Sequence, residues 1–240
     1  MIQPSRAIYA VSLLLVVSCS NASESSSQRV KKPGTSDQTG GTGGSGSDSN
    51  LSCDQQWSLA VQQQKVGAVF VYAGTVKGPI TYNVVLPYTR TETVTAASDA
   101  AISRKIDVST SISVIASYVE KLKTPQLTLT KDKFLQTCNK ADGQPVTVTG
   151  LGGNISIGSL KDESITLKSG KNVVTKRVDA EVKSVTLGSY SVGDADVVIH
   201  ISKQYPVLPL KQTLTLNQVS ETSLNGAVLE EEIVNGLPAN

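Results

Sequence analysis

The chain has 240 residues, 22 Lys and Arg against 20 Asp and Glu, and 39% hydrophobic side chains. With a net charge of +2, one Trp and two Phe, it offers neither the clustered basic face nor the aromatic platforms that nucleic-acid binding needs. A single histidine and three cysteines leave little material for zinc sites or relay catalysis.

Residues 1–18 read as a signal peptide. Arg6 and the α-amino group form a positive head, and Ala7 to Val17 is apolar except for Tyr9 and Ser12. That run suits export and is short for a bilayer span. It ends Val16-Val17-Ser18-Cys19, which resembles the lipobox of bacterial lipoproteins. The resemblance implies acylation at Cys19, with groups such as palmitate, and cleavage between Ser18 and Cys19. It places the protein in the cell envelope, held to membrane lipid by its N-terminal acyl anchor. In a Gram-negative source, Ser20 after the cysteine implies the outer membrane.

Residues 19–50 form the lipidated cysteine and a Ser/Gly-rich tether. Ala22 and Val30 are its only apolar side chains beyond Cys19, so burial cannot offset the entropy of ordering it. As a coil, about 31 residues reach roughly 30 Å. Arg29, Lys31 and Lys32 read as solvated linker charges, with contact to anionic lipid or cell-wall polymer as the alternative.

Residues 51–240 read as one β-rich domain. Asp54 to Lys65 suits a short helix with Trp57 and Val61 inward. Strands are expected at Val69–Tyr72, Thr81–Leu86, Thr91–Ala96 and Ile102–Val108. The stretch Ser111 to Lys123 fits a helix or a strand. Leu127–Leu129 looks extended, and Thr130 caps a helical stretch that turns Phe134, Leu135 and Cys138 inward. Further strands are expected at Val146–Thr149, Ile155–Gly158, Ser164–Lys168, Val173–Leu187, Ala195–Lys203, Leu210–Asn217 and Ala227–Val234. Turns fall at Gly152-Gly153, Ser169-Gly170, Val192-Gly193-Asp194 and Leu224-Asn225-Gly226. The fold class is mainly β: an antiparallel curved sheet forming an open or half barrel, or else a β-sandwich, with one or two short helices.

With Cys19 acylated, an even pair remains in an exported chain, which favours a Cys53–Cys138 disulfide over two buried thiols. His200 is the only candidate relay base, but no Gly-x-Ser-x-Gly elbow accompanies it, and it reads as a polar-face strand residue. Asp194 and Asp196 beside Gly193 lack the other ligands of a calcium loop and read as a turn. Glu230-Glu231-Glu232 reads as a charged, solvated edge. Gly150-Leu151-Gly152-Gly153 lacks the third glycine and following helix of a dinucleotide loop. No catalytic residue, cofactor or metal ligand is expected, and an enzyme is not.

The segments Gly67-Ala68-Val69-Phe70-Val71-Tyr72 and Tyr205-Pro206-Val207-Leu208-Pro209-Leu210-Lys211 resemble exported β-rich lipoprotein domains, with Tyr205 where a Trp is usual. They are also distantly similar to the half-barrel of lipoprotein carriers and receptors, whose curved sheet cradles acyl chains. This resemblance implies a hydrophobic or amphipathic ligand. The alternative is a structural or interaction module whose partner is an envelope protein.

Overall fold

The computed structural model describes residues 51–120, 124–138, 145–148, 153–187, 190–202 and 204–238. The signal peptide with Ser18, Cys19, the tether and Gly150-Leu151-Gly152 lie outside them.

The described chain begins with α1 (Cys53–Gln63), whose start is fixed by a reciprocal cap: Gln55 N donates to Ser52 Oγ and Ser52 N donates to Gln55 Oε1. The Trp57 ring lies 5.5 Å from Phe134, and its indole N–H donates to the Asp99 carbonyl at 2.8 Å. Phe134 belongs to α3 (Lys131–Cys138), which Thr130 caps by accepting from Lys133 N. Cys53 and Cys138 are joined as a disulfide with Cα atoms 6.0 Å apart, fastening α1 to α3 across 85 residues. Lys131 and Asp54 add an ion pair at 2.7 Å.

Ten strands follow: β1 (Val69–Lys77), β2 (Leu86–Ala97), β3 (Ala101–Ser109), β4 (Thr124–Thr130), β5 (Pro145–Val148), β6 (Gly153–Thr166), β7 (Asn172–Leu187), β8 (Tyr190–Ile201), β9 (Lys211–Val219) and β10 (Ala227–Asn235). The ambiguous stretch after β3 resolves as α2 (Ser113–Glu120). All ten strands form one antiparallel sheet in the order β4-β3-β2-β1-β10-β9-β8-β7-β6-β5. It consists of two meanders sewn together where β1 pairs with β10. Among the described residues the sheet is not closed, β4 and β5 being its edges, and the ten strands belong to one sheet rather than two. Among the described residues, three short α-helices accompany it instead of one or two. Residues from both halves, Leu129 on β4 and Ile155 on β6 among them, share one apolar cluster, so the inner face of the curled sheet carries the core.

Several expected elements differ. Thr81–Leu86 is not a strand: Pro79–Thr81 forms a 3-10 turn in which the Thr81 hydroxyl bonds Gly78, and Tyr82 and Asn83 take left-handed backbones with φ of 51° and 60°. Its apolar alternation came from an exposed turn, with Tyr82 87% exposed and Val84 and Val85 also open. The two strands expected over Ile155–Gly158 and Ser164–Lys168 are one, because Ser159 to Glu163 continue the ladder with β7 past an irregularity at Gly158. Val192-Gly193-Asp194 lies within β8 as irregular pairing with β9, not as a turn. Glu230-Glu231-Glu232 is not a solvated edge. β10 is a central strand between β1 and β9, and Glu231 and Glu232 are buried.

Candidate functional site

Strand alternation fixes the inner face. β1 turns Phe70, Tyr72, Gly74 and Val76 inward, β2 turns Tyr88, Arg90, Glu92 and Val94, and β3 turns Ile102, Arg104, Ile106 and Val108. Register sets Tyr72 opposite Arg90, and Gly74 opposite both Tyr88 and Glu231. Glu231 in turn opposes Gln212 of β9. The result is a polar seam across the middle of an otherwise apolar face, with Arg90, Glu92 and Arg104 each no more than 3% exposed.

Buried charges persist only when paired and hydrogen-bonded, and here they are. Arg90 Nε donates to Glu231 Oε2 at 2.9 Å, and Arg90 Nη1 contacts Glu92 Oε1. Arg104 Nη1 reaches Glu92 Oε2 at 2.9 Å, so Glu92 bridges the two guanidiniums. The Tyr88 hydroxyl donates to Glu231 Oε1 at 2.8 Å, and Gln212 Nε2 donates to the other oxygen. Arg104 also holds Gln64, just past α1, through Nε at 2.9 Å and through Nη2, and it donates to the Val207 carbonyl at 3.1 Å. Two arginines and two glutamates sum to zero charge. Burial alone would raise the Glu92 carboxyl, but Arg90 and Arg104 together hold it below the usual carboxylate range.

The Arg90 guanidinium stacks on the Tyr72 ring, 3.7 Å from its centroid. Burial, with Glu92 beside it, pushes the Tyr72 phenol well above its ordinary value. The Tyr72 hydroxyl and Gln212 Oε1 are buried and accept or donate no hydrogen bond among the described residues. Such groups are rare in folded interiors.

The seam divides the apolar interior. On one side lies the large cluster with Trp57, Phe70, Phe134, Val178 and Ile199. On the other, Val76, Tyr88, Ile106 and Val108 pack with Ile115 of α2. Leu127 and Leu229 touch both clusters. Leu86, Leu127, Leu214 and Leu229 stay only partly covered, so accessible apolar surface adjoins the buried charges.

Of the residues singled out in the sequence, Cys53 and Cys138 come together. His200 lies on β8, opposite Arg177 of β7 and Lys211 of β9. Its Nδ1 sits 3.4 Å from Thr175 Oγ1 and 3.8 Å from Glu163 Oε2, and burial pushes the imidazole below its ordinary value, Glu163 opposing. Asp194 and Asp196 accept from Asn217 Nδ2 across the ladder, at 3.4 and 2.9 Å. Among the described residues, no group of three or more His, Cys, Asp or Glu could hold a metal ion. Nor is any helix among them long and apolar enough to cross a membrane.

Beyond the place of Tyr72 in the Gly67–Tyr72 segment, the sequence reading gave no role to Tyr72, Tyr88, Arg90, Glu92, Arg104 or Gln212. A signal was present. In Tyr88-Thr89-Arg90-Thr91-Glu92-Thr93-Val94 and Ile102-Ser103-Arg104-Lys105-Ile106, Arg90, Glu92 and Arg104 occupy the same parity as the apolar residues and so must face the core. Comparison with protein families, curated proteins and solved structures returned no match for this chain.

Proposed function

We propose that this chain is an envelope lipoprotein, anchored to membrane lipid through Cys19, whose inner sheet face binds a hydrophobic or amphipathic ligand. The observation that supports it best is the juxtaposition on one face of accessible leucines and a buried polar seam with two unpartnered polar atoms. Leu86, Leu127, Leu214 and Leu229 suit an acyl or other apolar chain. The Tyr72 hydroxyl and Gln212 Oε1 suit its polar end.

Titration with an environment-sensitive fluorescent acyl probe tests this. Wild-type chain should bind it saturably, and Leu214→Glu with Leu229→Glu should weaken binding at least about tenfold by setting charge on the apolar path. Binding unaffected by these changes would contradict the site. The anchor is tested separately: Cys19→Ser should move the protein from membrane to soluble fraction, and unchanged partitioning would contradict lipidation.

A second reading, an interaction module for an envelope protein, is favoured by the exposed turn at Tyr82, Val84 and Val85. Loss of a crosslinked partner in Tyr82→Ser with Val84→Ser, acyl-probe binding being intact, would favour it.

A further inference from the structure

β10 is entered and left through the same dipeptide. Leu224-Asn225-Gly226 precedes Ala227, and Val234-Asn235-Gly236 closes the strand. These are the two Asn-Gly steps of the sequence. At such a step the glycine amide can attack the preceding carboxamide, because no Cβ blocks the approach. Both glycines hold positive φ, 76° at Gly226 and 93° at Gly236. Their surroundings nevertheless differ.

We infer that Asn235 is a site of spontaneous deamidation, while Asn225 is protected by the fold. The Gly236 amide nitrogen gives its proton to solvent hydroxide and bonds to Asn235 Cγ. The Cγ–Nδ2 bond breaks, and the nitrogen leaves as ammonia with a proton returned by water. The resulting cyclic imide is opened by water at either carbonyl, so that aspartate or isoaspartate replaces Asn235. Water and hydroxide are the only co-reactants, and nothing is oxidised or reduced.

Asn235 is exposed, and Gly236 N donates to its Oδ1 at 2.8 Å. The carboxamide is thus folded back onto the nitrogen that attacks it, one bond from the reacting carbon, which is a near-attack arrangement. At Asn225 both reacting groups are tied to β9 instead. Gly226 N donates to the Leu216 carbonyl at 2.6 Å, and Asn225 Oδ1 accepts from Val219 N at 2.7 Å. They react only when the β9–β10 turn opens, and the rate falls with the fraction of time it spends open.

The modification falls on a junction. Asn235 opposes Val71 in the β1–β10 ladder that joins the two meanders. Either product adds a negative charge there, and isoaspartate also lengthens the backbone by one methylene. Gly236 already lies so close to β1 that a Cβ on it would overlap the Val69 carbonyl. The extra length therefore loosens this end of the junction.

Incubation of the full chain in detergent at mildly alkaline pH, native and in urea, tests the inference. Cleavage after glutamate separates the two sites, because Glu221 and Glu230 to Glu232 flank them. Peptide mass spectrometry then follows the exchange of NH2 for OH at each asparagine. In urea the two sites should react at similar rates. In the native chain Asn235 should stay within about threefold of its urea rate, whereas Asn225 should slow at least about tenfold. Asn235→Gln should remove the native product and leave the Asn225 rate unchanged. The inference is overturned if folding slows Asn235 as much as Asn225, or leaves Asn225 unslowed. None of these outcomes depends on the inner face, so the ligand reading stands or falls separately.

Discussion

Glu92 is the keystone of the polar seam, and Glu92→Gln isolates its charge. The substitution keeps the shape but leaves Arg90 and Arg104 facing Glu231 alone, a net charge of +1 in a site where each guanidinium is at most 2% exposed. Removing one partner of a buried ion pair costs about 3–5 kcal/mol, because the remaining charge cannot recover its hydration. For a domain of this size that corresponds to a fall in Tm of about 6–20 °C. The sign with pH follows from the depressed carboxyl. The stability Glu92 supplies is present above its ordinary pKa of 4.5 and is lost as pH falls through the lower folded value. The wild-type advantage over Glu92→Gln should therefore be full at pH 7 and shrink progressively below pH 4.5. Urea unfolding measured across pH reads both effects. Asp107→Asn serves as control, because the Lys105–Asp107 pair is about half exposed and should move stability by under about 0.5 kcal/mol. A loss below about 1 kcal/mol for Glu92→Gln at pH 7 would refute the view that the seam is a dry, mutually dependent network.

Gly74→Ala would set a Cβ 2.4 Å from the Tyr88 ring, forcing that ring off its hydrogen bond to Glu231. A loss of about 1–3 kcal/mol by urea midpoint is expected, and Tyr88→Ala should relieve part of it in a double-mutant cycle. Cys53→Ser with Cys138→Ser should cost roughly 4–5 kcal/mol on the chain-entropy account, and reductant should lower the wild-type midpoint by a similar amount while leaving the variant's unchanged. His200 is held neutral by burial, with Lys211 and Arg177 opposing its charge and Glu163 favouring it. Its stabilising effect is present above the ordinary pKa of 6.5 and declines as pH falls below it, so His200→Gln should flatten the midpoint-versus-pH curve between pH 7 and 5.

The β-rich texture, the short helices and the cysteine pairing were legible because each rests on local signals. Thr130 before Phe134 announced a capped helix, and cysteine parity, on the expectation of export, pointed to the bond. The Tyr82 turn misled because its alternation imitates a strand, whereas Gly78, Pro79 and the Thr81 hydroxyl close a 3-10 turn there. Glu231 misled for a different reason. Three successive acids look solvated until strand order is known, and order is decided by the long-range β1–β10 pairing. The seam itself needs four strands brought into register, which no local pattern encodes, although the parity of Arg90, Glu92 and Arg104 pointed inward.

The central claim is that the inner face holds an amphiphile beside the seam. Native mass spectrometry of the full chain, extracted gently from membranes, measures this most directly. The account predicts a fraction of molecules carrying one noncovalent amphiphile of lipid mass, lost in Leu214→Glu with Leu229→Glu while the covalent mass changes only by the two substitutions. A chain that carries no such ligand, or whose ligand survives both substitutions, would contradict it.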